Sequence, residues 1–154
     1  MAEFDYDVII VGSGPAGTST ALHLCRRNPE RAPRILMLDQ HTHPREKLCG
    51  GGVTHYGEEA LAELGLEVPV LSFAVREVEL RFRRTAYSFR GNPAFRIVRR
   101  DEFDHWLARE AMDRGVLLRE GECVQALERN ADGVRVRTDR GTYTARELDG
   151  ADGS

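Results

Sequence analysis

No apolar run in this chain approaches the roughly 18 residues that a bilayer-spanning helix needs. The short apolar stretch Val8 to Val11 is preceded by acids rather than bases, so it does not read as a secretory signal. Cysteine is scarce and odd in number. Cys25, Cys49 and Cys123 have no metal-ligand spacing and cannot complete a set of intramolecular disulfides, so a reducing cytoplasm is the default compartment. A strong charge of one sign is also missing: 22 basic against 25 acidic residues leave a net charge of −3, with no global attraction for nucleic acid. What is present is a globular composition, 41% apolar and 31% charged, which excludes disorder and coiled coils. At 154 residues the chain is long enough to bury a core.

The rest is organised around Asp7-Val-Ile-Ile-Val-Gly-Ser-Gly-Pro-Ala-Gly17. Four β-formers enter a Gly-x-Gly-x-x-Gly turn at Gly12, Gly14 and Gly17, and a helical pattern from Thr18 to Arg27 leaves it. Such a turn holds a pyrophosphate. Its first glycine allows the tight bend, its second lets the backbone approach the phosphates, its third lets helix pack on strand, and the helix N-terminus faces the anion. A second apolar strand, Arg34 to Asp39, ends in a carboxylate 22 positions after Gly17, close to the spacing expected of an acid that holds ribose hydroxyls. The same unit serves NAD or FAD.

Beyond Asp39 lies a polar loop, Gln40 to Gly52. His41 and His43 have no third ligand nearby and read as part of a solvated loop. Gly50, Gly51 and Gly52 mark either a flexible linker or a place where backbone passes close to something flat or adopts positive φ. His55 to Leu64 is expected to be helical, with Tyr56, Ala60, Leu61 and Leu64 on its apolar face and Gly65 as its stop. From Val75 the period changes to two, Gly91-Asn-Pro93 offers a turn, and Phe95 and Ile97 resume the alternation, so residues 75 to 99 predict an antiparallel sheet. Between Arg76 and Arg100 eight arginines stand against two glutamates, read either as a solvated, edge-protecting face or as a surface for anionic lipid or a phosphorylated substrate.

Asp101 is the expected N-cap of a helix running to Arg114, with Asp104 three residues on. Phe103, Trp106, Leu107 and Ala111 form its stripe, Trp106 being core or a cofactor-stacking ring. Val116 to Leu118 is the expected third strand of the nucleotide-binding unit. Three strands over Glu122 to Arg129, Gly133 to Thr138 and Thr142 to Arg146 then form a β-meander. The segment Ala145 to Asp149 is mostly polar, a poor signal for a strand. The turn-like ending Leu148 to Ser154 suggests a truncated chain.

These blocks resemble the FAD-dependent oxidoreductases of the glutathione-reductase and p-hydroxybenzoate-hydroxylase type, and within them the geranylgeranyl reductase family. The likeness rests on Asp7 to Gly17 with Asp39, on Pro44-Arg-Glu-Lys-Leu-Cys-Gly-Gly-Gly52, and on Arg100-Asp-Glu-Phe-Asp-His-Trp-Leu107 with Gly150-Ala-Asp-Gly-Ser154. It implies an α/β fold: a Rossmann-like FAD-binding domain with parallel sheet and β-meander over 1–65 and 100–154, and part of an antiparallel substrate-domain sheet over 66–99. By position, Gly12, Gly14, Pro15, Ala16 and Gly17 would cradle the FAD pyrophosphate and Asp39 would bind the adenosine ribose. Arg45 and Arg100 would contact the phosphate or ribityl region, and Val124 the adenine through its backbone. Cys49, Gly50, Gly51 and Gly52 would line the approach to the isoalloxazine, with Cys49 either a catalytic acid or a small packing residue. Asp152 would lie in an Asp-Gly turn near the cofactor.

The implied activity is reduction of isoprenoid double bonds by hydride from reduced flavin. The implied partners are an apolar substrate, NAD(P)H or another electron donor, no nucleic acid, and peripheral contact of a cytoplasmic protein with membrane. A flavin monooxygenase or halogenase, or a non-catalytic nucleotide-binding fragment, uses the same scaffold.

Overall fold

The computed structural model describes residues 4–153. In chain order the elements are β1 (Tyr6–Val11), α1 (Pro15–Arg27), a short 3-10 helix (Pro29–Arg34), β2 (Ile35–Asp39), β3 (Gly52–Thr54), α2 (His55–Glu63), β4 (Ser72–Phe82), β5 (Thr85–Val98), α3 (Arg100–Asp113), β6 (Leu117–Glu120), β7 (Val124–Arg129), β8 (Val134–Thr138) and β9 (Thr142–Gly150). They divide into two units, Met1–Arg45 with Asp104–Ser154, and Glu46–Phe103. The triple-glycine loop, β3 and α2 fall in the second unit with the antiparallel strands.

The first unit holds a six-stranded sheet in the order β6-β2-β1-β9-β8-β7. β6, β2, β1 and β9 run parallel, and β8 and β7 continue antiparallel as the expected meander. Alternation sorts the central strands onto two faces. Ile9, Leu36 and Leu38 form a buried cluster with Val134, Val136 and Ala145. Ile10 points the other way, toward α1: a Cβ on Gly17 would lie 3.0 Å from its Cγ2. The mixed α/β architecture is the one the motifs predicted.

One expectation fails here. The polar segment Ala145 to Asp149 is a genuine strand, and β9 lies parallel to β1 with Ala145 opposite Tyr6 and Leu148 opposite Ile9. A strand flanked on both sides needs backbone partners more than a continuous apolar sequence. Ala145 is fully buried and Leu148 packs on the core, while Arg146 turns outward to Asp7 (3.7 Å) and over the Phe4 ring.

In the second unit β3, β5 and β4 form an antiparallel sheet. The reversal lies at Arg83 and Arg84, between β4 and β5, and Arg83 adopts φ 55° there. The expected turn at Gly91 to Pro93 is instead a bulge within β5. Register passes from Val75–Phe95 to Glu77–Arg90, so four residues on β5 answer one on β4. Gly91 permits this crowding, because a Cβ there would lie 2.6 Å from the Ala94 Cα. α2 is capped by Thr54, whose hydroxyl accepts from the Gly57 N–H, and it stops at Gly65 with φ +71° as expected. Its apolar face is narrower than predicted: Leu61 is buried, but Tyr56 is 80% exposed.

A carboxylate that the sequence did not single out pins the meander. Glu122 is buried, and its Oε1 accepts from the Thr138 hydroxyl (2.6 Å) and the Tyr143 hydroxyl (2.7 Å). Burial, and then this bond to an acceptor, raise the Tyr143 hydroxyl above its ordinary pKa. Replacing Glu122 by Ala strands two hydroxyls and is expected to destabilise the chain by about 2 kcal/mol or more, measured by urea denaturation. Glu122→Gln, which keeps an acceptor, is expected to lose less.

Candidate functional site

The parallel strands of the first unit deliver their C-terminal ends to the glycine turn. Gly12 takes φ +102°, and its N–H donates to the Leu38 carbonyl (2.7 Å). A Cβ there would stand 2.4 Å from the Ala151 carbonyl oxygen and 2.7 Å from the Asp152 nitrogen. The turn at 151–152 is held against Gly12 by the Ala151 N–H, which donates to the Val11 carbonyl (2.7 Å). Two motifs 140 residues apart in sequence thus touch. A Cβ on Gly17 would lie 1.9 Å from the Gly12 carbonyl oxygen, so that glycine allows helix and turn to close on each other.

Gly14 behaves differently. It is the N-cap of α1, with extended backbone, no side-chain cap and no acid in the first helical turn. The atom nearest its ideal Cβ is Arg45 Nη2, at 3.3 Å. Among the described residues no backbone crowds that position, the helix end presents N–H groups without intrahelical partners, and the guanidinium stands beside it. Arg45 Nε is buried without a hydrogen-bond acceptor. A cradle that needs no Cβ, a positive helix end and an unsatisfied cationic N–H fit the pyrophosphate of a dinucleotide.

Asp39 closes the end of β2. Its Oδ2 accepts from both the N–H (2.9 Å) and the hydroxyl (2.7 Å) of Ser13, its Oδ1 accepts from the His41 N–H (2.9 Å), and Arg45 Nε lies 4.0 Å away. Burial alone would raise this carboxyl. The Ser13 hydroxyl, the His41 and Ser13 N–H groups and the Arg45 charge outweigh it and hold Asp39 below the usual carboxylate range. Val124 is brought to the same end of the sheet: it opens β7 two residues after Glu122, whose N–H donates to the Asp39 carbonyl (2.9 Å).

The first unit therefore gathers Gly12, Gly14, Pro15, Ala16, Gly17, Asp39, Arg45, Val124 and Asp152. Cys49, Gly50, Gly51 and Arg100 lie in the second unit. There Cys49 is exposed, and its Sγ accepts from the Gly51 N–H at 3.5 Å. Gly51 has φ +70°, and a Cβ on it would strike the Val98 carbonyl oxygen at 2.1 Å, so this glycine is required by its pairing with Val98. Gly50 has nothing within 4 Å of its Cβ position.

Two loop and helix expectations change. His43 is not solvated: its ring is 1% exposed and its Nδ1 meets Glu120 Oε1 at 2.8 Å. α3 begins at Arg100, so Asp101 lies in its first turn and is not the N-cap. Asp104 is fully buried, 3.7 Å from Arg45 Nη2. The legible signal was its place on the stripe that also carries Leu107, Ala108 and Ala111, all buried, where a carboxylate needs a cation. Trp106 is half-buried, and its indole N–H donates to Glu110 (3.2 Å) on its own helix. Ser13 could have been noticed as the hydroxyl inside the Gly-x-Gly.

Two outcomes are expected. Gly12→Ala should unfold or strongly destabilise the chain, whereas Gly14→Ala should melt within about 0.5 kcal/mol of the parent yet lose retention of FAD, read by visible absorbance after gel filtration. Because the folded pKa of Asp39 lies below its unfolded one, the stability it contributes is present above the ordinary carboxylate range and lost as pH falls through the folded value. Asp39→Asn should therefore cost about 1–3 kcal/mol at pH 7, and the gap between its melting temperature and the parent's should narrow as pH falls below the ordinary carboxylate range.

An uncharacterized protein of Methanosarcina barkeri is 27% identical across 97% of this chain, and the chain spans 38% of that relative's length. A menaquinone reductase of Mycobacterium tuberculosis is 40% identical over 60 residues, 39% of this chain and 14% of the relative. Among solved structures, a geranylgeranyl bacteriochlorophyll reductase-like protein from Thermoplasma acidophilum superposes with a TM-score of 0.74 at 21% identity, covering 96% of this chain and 39% of its own. A myxobacterial chondrochloren halogenase gives 0.73 at 24%, covering 96% and 37%. These structural likenesses show the fold. The FAD binding domain family matches residues 5–154, so the chain belongs to that family and its cofactor is FAD.

Proposed function

We propose that the intact protein is an FAD-dependent reductase acting on double bonds of an isoprenoid of the geranylgeranyl type. The observation that carries the oxidoreductase reading is the open cradle over Gly14, bordered by the α1 N-terminus and Arg45, in a chain of the FAD binding domain family. The menaquinone reductase relative, by its name, supports reduction of an apolar substrate. So does the hairpin of the second unit, one face of which is apolar: Leu80 pairs with Tyr87 and Val78 with Phe89, and Leu80, Phe82, Tyr87 and Phe89 are exposed.

FAD, when bound, supplies hydride and accepts electrons from a donor such as NAD(P)H. The chain's own residues bind and orient it. Gly12, Pro15, Ala16 and Gly17 shape the phosphate turn, Arg45 meets phosphate charge, and Asp39 faces the ribose. Val124 offers backbone to the adenine, and Asp152 extends the turn beside Gly12. Arg100 adds a second guanidinium, and Cys49 with Gly50 and Gly51 lines the approach of the apolar substrate, Cys49 either passing a proton or packing as a small residue. At the hairpin tip Arg83 lies over the Phe82 ring at 5.4 Å. A cationic and apolar tip of this kind suits peripheral contact with an anionic bilayer. Among the described residues no helix is long and apolar enough to cross a membrane.

The test has two parts. This chain, loaded with FAD and freed of excess, is expected to keep the visible band of oxidised flavin. The intact protein, reduced without oxygen, is expected to be reoxidised by a polyprenyl substrate whose mass rises by two for each bond saturated. Reoxidation only by oxygen, with oxygen or halogen entering the product, would assign the monooxygenase or halogenase chemistry instead. Flavin retained without turnover of any kind would leave a binding module.

A further inference from the structure

We infer that His43, Glu120 and Asp104 are positioning residues that hold the Arg45 guanidinium at the phosphate turn. The inference rests on the reading that Arg45 meets the phosphate of FAD, and it assigns three side chains that touch no part of that ligand in the reading.

The argument begins with the loop after β2. Arg45 is two residues beyond His43, and an arginine side chain on a free loop would sample many rotamers. Here the loop is fastened at successive points. The His41 N–H donates to Asp39 Oδ1 (2.9 Å), and the Gly121 N–H donates to the His41 carbonyl (3.2 Å). The strongest fastening is at His43. Its backbone N–H (2.7 Å) and its ring Nδ1 (2.8 Å) both meet Glu120 Oε1, so one carboxylate oxygen fixes main chain and side chain together. Glu120 is the last residue of β6, and it sits opposite Asp39 in the parallel register of β2 and β6. A rigid strand end therefore sets where the loop runs.

The ring of His43 is 1% exposed, and its other nitrogen is buried without a hydrogen-bond partner, as is Nδ1 of His105. The two rings lie 6.3 Å apart between centroids. A histidine kept at that desolvation cost in a surface loop is held there by its bond to Glu120.

Arg45 then emerges between two buried acids. Nη2 is 3.7 Å from Asp104 Oδ2, and Nε is 4.0 Å from Asp39 Oδ2. Neither distance is that of a tight bidentate pair. The carboxylates compensate the charge and limit where the fork can go, while Nε stays unsatisfied and Nη2 stays beside Gly14. That leaves donors ready for an incoming oxyanion with little rotamer entropy left to lose.

The experiment combines a ligand-free signal with an affinity cycle. In the ligand-free chain, Glu120→Gln, His43→Ala and Asp104→Asn are each expected to shift the Arg45 Nε–Hε resonance in NMR spectra recorded well below each variant's melting temperature. Each should also weaken FAD about tenfold, the scale on which loss of an orienting partner usually acts. In an Arg45→Ala background the same changes should add less than twofold, because they act through the guanidinium. An unmoved resonance in the Glu120 and His43 variants would overturn the inference, as would full additivity with Arg45→Ala. A moved resonance with FAD affinity intact in Arg45→Ala would uphold the positioning and sink the phosphate reading of Arg45.

Discussion

The carboxylate of Asp39 is the constraint on which the rest of the nucleotide-binding unit depends. It sits at the end of a fully buried strand and receives three N–H or O–H donors, two of them from Ser13 inside the glycine turn. The carbonyl of the same residue receives the Glu122 N–H. One residue thus ties together the turn after β1, the loop after β2 and the segment entering β7. A buried ion with its lone pairs filled is tolerable, and one with a missing partner is not, so the geometry of these three segments is coupled.

Charge is handled differently in the two units. Around the turn, Arg45 is shared between Asp39 and Asp104 without a close bond to either, which leaves its donors available. In the second unit Arg90 pairs with Glu77 across the hairpin and Arg81 with Glu79 along one strand, while Arg96 reaches Glu58 on α2. Such exposed pairs add little stability. They keep the polar face soluble and leave the apolar face of the same ribbon as its distinctive surface. Among the described residues, Arg83 and Arg84 at the reversal have no acidic partner, so positive charge collects at the tip.

Glycine serves two separate ends in this chain. Gly12, Gly17 and Gly51 are required because another backbone carbonyl occupies the place of a Cβ. At Gly14 and Gly50 no backbone atom occupies the place of a Cβ, so the packing of the chain does not demand a glycine there. The sequence motif marks all of them alike. Only the coordinates separate the glycines that packing requires from those it does not.

The sequence by itself determined the strand–turn–helix, the acid at the end of β2, the switch to period two from Val75 and the meander. Each of these is written in local pattern: a run of β-formers, a glycine spacing, an alternation, a pair of turns. Tertiary structure alone decided what depends on partners distant in the chain. The polar β9 is a strand because β1 and β8 supply its backbone bonds. The Gly91 to Pro93 turn signal becomes a bulge because β4 is long enough to pair past it. His43 is buried because Glu120, 77 residues later, faces it, and Asp104 is buried because Arg45 stands beside it. Hydrogen-bond and charge satisfaction are properties of neighbours in space, and local pattern does not encode them.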